Sequence, residues 1–73
     1  MTPKEIILEY IPSARIEEDK GIFWVVYDHQ FAVGFRIWPG IDLGHGSTEE
    51  LAWIDAKMIM DGNPHLRNLI RMV

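Results

Sequence analysis

The chain has 73 residues, a net charge of −4 and no cysteine. This length fits one domain spanning residues 1–73, and the missing cysteines exclude disulfides and thiolate zinc sites. Binding that follows a phosphate backbone depends on lysine and arginine, so the acidity disfavours it. The acidity suits a basic protein partner, although solubility alone would also explain it. The chain has neither a membrane-span-length apolar run nor a signal-peptide pattern, so we expect a cytoplasmic location without membrane contact.

The first predicted element is a helix over about residues 3–11. Thr2-Pro3-Lys4-Glu5 has the form of a capping box, with Thr2 as N-cap and Glu5 three residues later. Ile7, Tyr10 and Ile11 then recur at helical spacing. Pro12 should end the helix, because it disfavours the α conformation in the residue before it.

Residues 14–43 are predicted to form a three-stranded antiparallel sheet packed on helices. β-Branched and aromatic residues dominate its middle, and turn signals separate the runs. We expect strands at Ala14–Glu17, Ile22–Tyr27 and Phe31–Ile37, turns at Asp19-Lys20-Gly21 and Asp28-His29-Gln30, a stop at Pro39-Gly40, and a short edge strand at Ile41–Leu43.

The pairing of the central strands depends on the turn. A two-residue His29-Gln30 hairpin loop would pair Val26 with Val33, Trp24 with Phe35 and Ile22 with Ile37, and that face would form the core. The opposite face would hold Phe23, Val25, Tyr27, Arg36 and Trp38, with Arg36 within cation–π reach of Phe23. A one-residue slip would exchange the two faces of the first strand. The chain itself, a second copy or a foreign partner could cover the outer face, which is a candidate interaction site.

A second helix is predicted over about residues 48–61. Gly44-His45-Gly46 would form a loop, Ser47 would be the N-cap of a second capping box, and Gly62 would be a left-handed cap. The helix carries two apolar stripes, of which one must face the sheet. The first stripe is Ala52, Trp53, Ala56, Ile59 and Met60, and the second is Leu51, Ile54 and Met58.

Residues 64–73 are predicted to form a short C-terminal helix or tail, started by Asn63-Pro64. Its apolar positions recur as one amphipathic stripe, formed by Leu66, Leu69, Ile70 and Val73. This tail could pack on whichever of the two stripes does not face the sheet. The fold class is therefore α+β in the order α-β-β-β-α, followed by a short C-terminal helix.

The sequence offers little catalytic or metal-binding chemistry. His29, His45 and His65 do not stand at metal-ligand spacing. Gly44-His45-Gly46-Ser47 is superficially similar to a phosphate-binding loop, but it lacks the lysine, and Glu49-Glu50 would repel phosphate. We therefore expect a non-enzymatic protein without cofactor or metal.

Three local features resemble the double-stranded RNA-binding domain. These are Leu8-Glu9-Tyr10 in the first helix, the strand from Phe31 to Ile37, and the entry Gly44-His45-Gly46-Ser47 to the second helix. The resemblance implies the same α-β-β-β-α topology. That family grips phosphates with lysines at the start of its second helix, where this chain has Thr48, Glu49 and Glu50, so direct nucleic-acid binding is not expected.

In length, acidity and aromatic content the chain also resembles small bacteriophage-encoded regulators that inhibit bacterial RNA polymerase. The resemblance implies a protein-binding transcription regulator acting in the host cytoplasm, with RNA polymerase as its partner. The predicted partner-binding residues are Thr2, Pro3, Lys4, Glu5, Phe23, Tyr27, Arg36 and Trp38. Two alternatives remain: a nucleic-acid-binding module that stacks bases on its aromatic face, and an antitoxin-like or self-associating structural protein. The chain would be a monomer or a weak homodimer.

Overall fold

The computed structural model describes residues 1–30 and 37–64 and confirms the α-β-β-β-α order. Three antiparallel strands form one sheet in the order β1-β2-β3. The predicted strand at Phe31–Ile37 and the predicted C-terminal helix fall largely or wholly outside the described residues. The elements are α1 (Pro3–Tyr10), β1 (Arg15–Asp19), β2 (Ile22–Gln30), β3 (Ile37–Gly46) and α2 (Glu49–Gly62).

The predicted capping box starts α1. The backbone N–H of Glu5 donates to Thr2 Oγ1 at 3.2 Å, and the Thr2 N–H donates to Glu5 Oε1 at 3.4 Å. Hydrogen bonds from the Thr2 hydroxyl and backbone hold the pKa of Glu5 below its usual value. The C-cap Ile11 donates its N–H to the Ile7 carbonyl at 2.8 Å. The capping box thus satisfies one of the free N–H groups of the first turn, and the Ile11 contact extends the helical hydrogen bonding by one residue.

The turn at Lys20-Gly21 joins β1 and β2 as predicted. Asp19 pairs with Ile22, and the two residues between them both have positive φ, 52° at Lys20 and 80° at Gly21. Positive φ at both central positions is the requirement of a type I′ hairpin turn, whose twist matches that of the strands. β1 begins at Arg15 and ends at Asp19, slightly later than expected.

The predicted register of the second hairpin is wrong. His29 and Gln30 belong to β2, where they pair with Trp38 and Ile37. The remaining partners of β2 also differ from the prediction: Phe23 pairs with Gly46, Trp24 with His45, and Val26 with Asp42. The predicted partners Val33 and Phe35, and Arg36 opposite Phe23, lie outside the described residues.

Two bulges in β3 explain why strict alternation of inward and outward side chains predicted the wrong register. Val25 pairs with Gly44 and Val26 with Asp42, so Leu43 is an extra residue on β3. Farther along, Pro39 and Gly40 together oppose Asp28. Gly40 adopts the positive φ of 65° that glycine tolerates, and at a bulge proline need not donate to the ladder. Pro39-Gly40 therefore does not stop the strand, and Ile41–Leu43 belongs to β3.

The inner face of β2 is the one predicted to face outward. Val25 and Tyr27 are buried in the core, and Phe23 packs against it. Burial raises the pKa of Tyr27. Ile22, Trp24 and Val26 therefore lie on the outer face of the sheet. The two faces of β2 are thus exchanged, as the alternative with a one-residue slip in register predicted. The core also draws on both helices and β3, through Ile7, Ile11, Leu43, Ala52, Trp53, Ala56 and Met60.

Two glycines of β3 let α2 lie unusually close to the sheet. A Cβ added at Gly44 would stand 2.5 Å from the backbone nitrogen of Ala56, and one at Gly46 would stand 2.7 Å from that of Ala52. The segment Gly44-His45-Gly46, predicted as a loop, is instead the end of β3. Its glycines serve close packing.

The ends of α2 also differ in detail from the prediction. Thr48, not Ser47, is the N-cap, and its Oγ1 accepts the Leu51 N–H at 3.2 Å. Gly62 is helical, and the C-cap Asn63 has φ −133°, so the expected left-handed cap is absent at these two residues.

Asp28 ties three segments together beside the Pro39-Gly40 bulge. Its carboxylate Oδ1 accepts the Gly40 N–H at 3.1 Å and Arg15 Nη1 at 3.1 Å. Its backbone N–H donates to Ser13 Oγ at 3.1 Å, and Ser13 Oγ donates to its carbonyl at 3.3 Å. The hydrogen bond from Gly40, followed by Arg15, holds the pKa of Asp28 below its usual value against an opposing effect of desolvation.

We expect Asp28→Asn to destabilise the fold in a pH-dependent way. A carboxyl whose pKa is lower in the folded state contributes stability above its unfolded pKa of about 4, and this is lost as pH falls through the folded value. Urea unfolding should therefore show a difference in stability between wild type and Asp28→Asn at pH 7 that shrinks toward pH 2. Asp42→Asn on the same face is the control, and an equal difference at both pH values would contradict the assignment.

Candidate protein-binding surface

The outer side of α2 carries the largest set of exposed apolar side chains in the described part of the chain. Ala52, Trp53, Ala56 and Met60 face the core, so the first of the two predicted stripes is the one that faces the sheet. Helical geometry turns the residues between them outward. We call the exposed set the α2 stripe; its members and exposed fractions are Leu51, 47%, Ile54, 36%, Met58, 67%, and Ile59, 38%.

Three members of the α2 stripe are those predicted as the second stripe of this helix. Ile59 belongs to the first predicted stripe but is exposed, because it lies at the margin of the buried face. Leu51, Ile54 and Met58 follow i, i+3, i+7 spacing, which aligns them along the helix. The tail predicted to cover them, residues 65–73, lies outside the described residues.

Charged residues flank the α2 stripe. Lys57 Nζ lies 2.7 Å from Asp61 Oδ2, one turn farther along the helix, so its charge is largely matched. Glu50 lies on one side of the stripe, and Asp55 lies within it, next to Ile59. The surroundings of the stripe are therefore acidic on balance.

Asp55 also reaches the outer edge of β3. Its Oδ2 accepts the backbone N–H of His45 at 2.9 Å and lies 3.7 Å from His45 Nδ1. The His45 ring stacks on Trp24 of the neighbouring strand, with centroids 4.9 Å apart and planes inclined by 31°. Sequence reasoning missed this pair because it placed His45 in a loop.

In the described part of the sheet, the outer face exposes few large apolar side chains. Ile22 is 40% exposed, but Trp24 is only partly exposed, and Val26 is buried although it is not a member of the main core cluster. A shallow depression of about 290 Å³ lies on this side. It is lined by Glu17, Glu18, Asp19, Trp24, Val26, Gly40 and Asp42.

The predicted N-terminal residues lie beside the start of α2. A groove of about 420 Å³ is lined by Thr2, Pro3, Lys4, Glu49, Glu50 and Trp53. Lys4 Nζ lies 5.9 Å from the centroid of the Trp53 ring. Glu5 is instead occupied by the capping box with Thr2. Three predicted partner-binding residues therefore share one groove at the joined helix ends.

The aromatic members of the predicted site are placed differently. Tyr27 is 5% exposed within the core, and Phe23 packs against that core. Neither forms the outer aromatic face that was predicted. Arg36 lies outside the described residues, and Trp38 is described only through its backbone pairing with His29.

Within residues 1–30 and 37–64, the structure contains no group of three or more His, Cys, Asp or Glu side chains placed to hold a metal ion. Nor does any helix in that part have the length and apolar character needed to cross a bilayer.

Comparisons with known proteins identify no relative of this chain. No family model matches it, and neither does any curated protein or solved structure.

Proposed function

We propose that this protein is a non-enzymatic regulator that binds another protein through the α2 stripe. One observation carries the proposal: Leu51, Ile54 and Met58 form an exposed apolar row on the side of α2 opposite the core. Apolar side chains grouped on a surface, with polar groups around them, mark interaction sites more often than scattered ones do.

The shape of the stripe indicates the mode of docking. A helix with apolar residues at i, i+3 and i+7 fits a hydrophobic groove on a partner, and these side chains act as its anchors. Met58 is the most exposed anchor, and the unbranched thioether adapts to irregular pockets. The acidic Glu50 and Asp55 favour a partner groove with a basic rim.

Bacterial RNA polymerase is the first partner to test. The support is the resemblance in length and acidity to bacteriophage-encoded inhibitors of that enzyme. In this proposal the chain occupies a small patch of the polymerase and inhibits it without chemistry of its own.

We expect Met58→Asp to weaken binding to purified bacterial RNA polymerase at least about tenfold, because a carboxylate would enter the partner's apolar groove unpaired. Met58→Leu keeps the apolar volume and should bind like wild type. Biolayer interferometry on the three tagged chains would measure this, and urea midpoints would verify that all three are equally folded.

Each result of that comparison has a distinct meaning. Equal binding by wild type and Met58→Asp would reject the α2 stripe as the docking surface. If the polymerase does not bind, the same chains are used on a bacterial extract. If wild type captures a complex and Met58→Asp does not, the α2 stripe remains the proposed docking surface. The captured complex then replaces RNA polymerase as the proposed partner. Recovery of nothing reproducible would reject the proposal.

The structure offers little to a nucleic-acid partner at the corresponding helix. Glu49 and Glu50 occupy the first turn of α2, where the double-stranded RNA-binding domain has lysines. Quenching of tryptophan fluorescence by short RNA at tens of micromolar, weakening steeply with salt, would favour that alternative.

A further inference from the structure

No strand among residues 1–30 and 37–64 pairs with the outer edge of β1, and this edge has a definite hydrogen-bonding pattern. In an antiparallel ladder, the N–H and C=O of one residue point to the same side, and this side alternates along the strand. His45 donates its N–H outward to Asp55, so the Trp24–His45 pair is not a hydrogen-bonded one. The backbone groups of Trp24 must therefore point to β1, where its partner is Glu17.

Two further contacts agree with this assignment. Asp28, four residues from Trp24, directs its N–H and C=O to Ser13, which continues the line of β1. Ala14 directs its N–H away from β2, to the carbonyl of Ile11. By alternation, Ile16 and Glu18 also direct their N–H and C=O groups away from β2. No hydrogen bond between described residues reaches these four groups.

We propose that the β1 edge is a second docking site, at which an extended basic segment of a partner protein adds a fourth strand to the sheet. This goes beyond the α2 stripe, because it uses a different surface and a different kind of ligand. The backbone groups of Ile16 and Glu18 supply the hydrogen bonds of such strand addition.

The side chains of β1 set the chemistry of the incoming strand. Glu17 and Asp19 project on the outer face, on the side of the acidic depression beside Trp24. Ile16 projects on the opposite face and packs against the core. A strand with lysine or arginine on one face therefore complements the outer face of β1, and an apolar residue on its other face can pack beside Ile16.

Charge favours such a partner over a second copy of the chain. β1 holds one arginine and three carboxylates, a net charge of 1 − 3 = −2. Arg15 is already engaged, with Asp28 at 3.1 Å and Glu17 at 3.4 Å. Two such edges repel each other, and natural edge strands use charge in this way to avoid self-pairing. A basic strand converts the same charge into attraction.

The test uses the full chain and a synthetic peptide of seven residues that alternates lysine and valine. NMR titration should show binding, with the Ile16 and Glu18 amides shifting and becoming protected from hydrogen exchange. A peptide with glutamate in place of lysine should not bind. A basic peptide N-methylated at two adjacent central residues loses a donor on both edges, so it should bind at least fivefold more weakly.

A matched pair of protein variants isolates the backbone contribution. Glu18→Gln and Glu18→Pro both remove the carboxylate that accepts the Gly21 N–H at 3.1 Å, but only the proline removes the outward N–H. Proline is tolerated where an edge strand directs its N–H to solvent. We expect Glu18→Pro to bind the basic peptide at least fivefold more weakly than Glu18→Gln.

Three results would overturn the proposal. They are no binding of the basic peptide at millimolar concentration, equal binding of its N-methylated form, and equal binding by folded Glu18→Pro and Glu18→Gln. If Glu18→Pro fails to fold by circular dichroism, the N-methylated peptide decides the question on the wild-type chain. None of these results depends on Met58, so the proposal for the β1 edge can be rejected without rejecting the proposal for the α2 stripe.

Discussion

Replacing Gly44 with alanine is expected to destabilise the fold by about 2–3 kcal/mol, since one methyl group would be forced into a closely packed contact. The added Cβ would stand 2.5 Å from the backbone nitrogen and 2.7 Å from the Cα of Ala56. These atoms belong to the helix backbone, so rotation of a side chain cannot relieve the contact. Either α2 moves away from β3 or the strand bends.

Gly62→Ala is the matched control for this substitution. No heavy atom lies within 4 Å of a Cβ built at Gly62, which is helical. Alanine there should be neutral or stabilise the fold by up to about 1 kcal/mol, through helix propensity. Urea unfolding of both variants measures the difference. If the free energies of unfolding of Gly44→Ala and Gly62→Ala differ by less than about 0.5 kcal/mol, the close approach of α2 to β3 is not maintained in solution.

Ile7→Ala is expected to cost about 2–5 kcal/mol, as is usual when a fully buried aliphatic side chain is truncated. Ile7 is completely buried and joins α1 to the core. Small domains have total stabilities of only about 5–15 kcal/mol, so the variant should unfold at a much lower urea concentration.

Ile54→Ala makes the same chemical change on the exposed side of α2. Because Ile54 lies in the α2 stripe and is 36% exposed, we expect a change within about 0.5–1 kcal/mol. The contrast between these two isoleucines tests the burial pattern directly. A loss of more than about 2 kcal/mol for Ile54→Ala would mean that the stripe is covered within the chain itself.

Local chemistry was the most predictable part of the fold. The Thr2–Glu5 capping box and the Lys20-Gly21 turn were both identified correctly, because each depends on residues within four positions of one another. The same logic placed the start of α2 within one residue, at Thr48 instead of Ser47.

Register was not predictable, because it depends on bulges that leave weak local signals. The extra residue Leu43 changes which side chains of β3 face inward, so that Leu43 and Gly44 are both buried. Pro39-Gly40 has the composition of a strand terminator, yet it forms a bulge held by Asp28. The predicted inner face of β2 followed from the assumed His29-Gln30 turn. It is wrong because His29 and Gln30 belong to the strand.

The candidate site was predictable only where it depends on one helix. Periodicity alone grouped Leu51, Ile54 and Met58, because residues on one helix face are fixed by sequence spacing. The aromatic surface proposed on the sheet required the correct strand register, and Tyr27 proved to be in the core. The Trp24–His45 stack joins two strands and has no signal in either segment alone.

The paired contacts of Gly44 with Ala56 and Gly46 with Ala52 leave α2 only one place to sit on the sheet. Sliding the helix by one turn in one direction would drive Met60 into the space above Gly44. Sliding it the other way would press Ala56 against side chains of β3 that precede Gly44. These two close contacts therefore fix the position of α2 along β3, and with it the distance from the α2 stripe to the outer edge of β1.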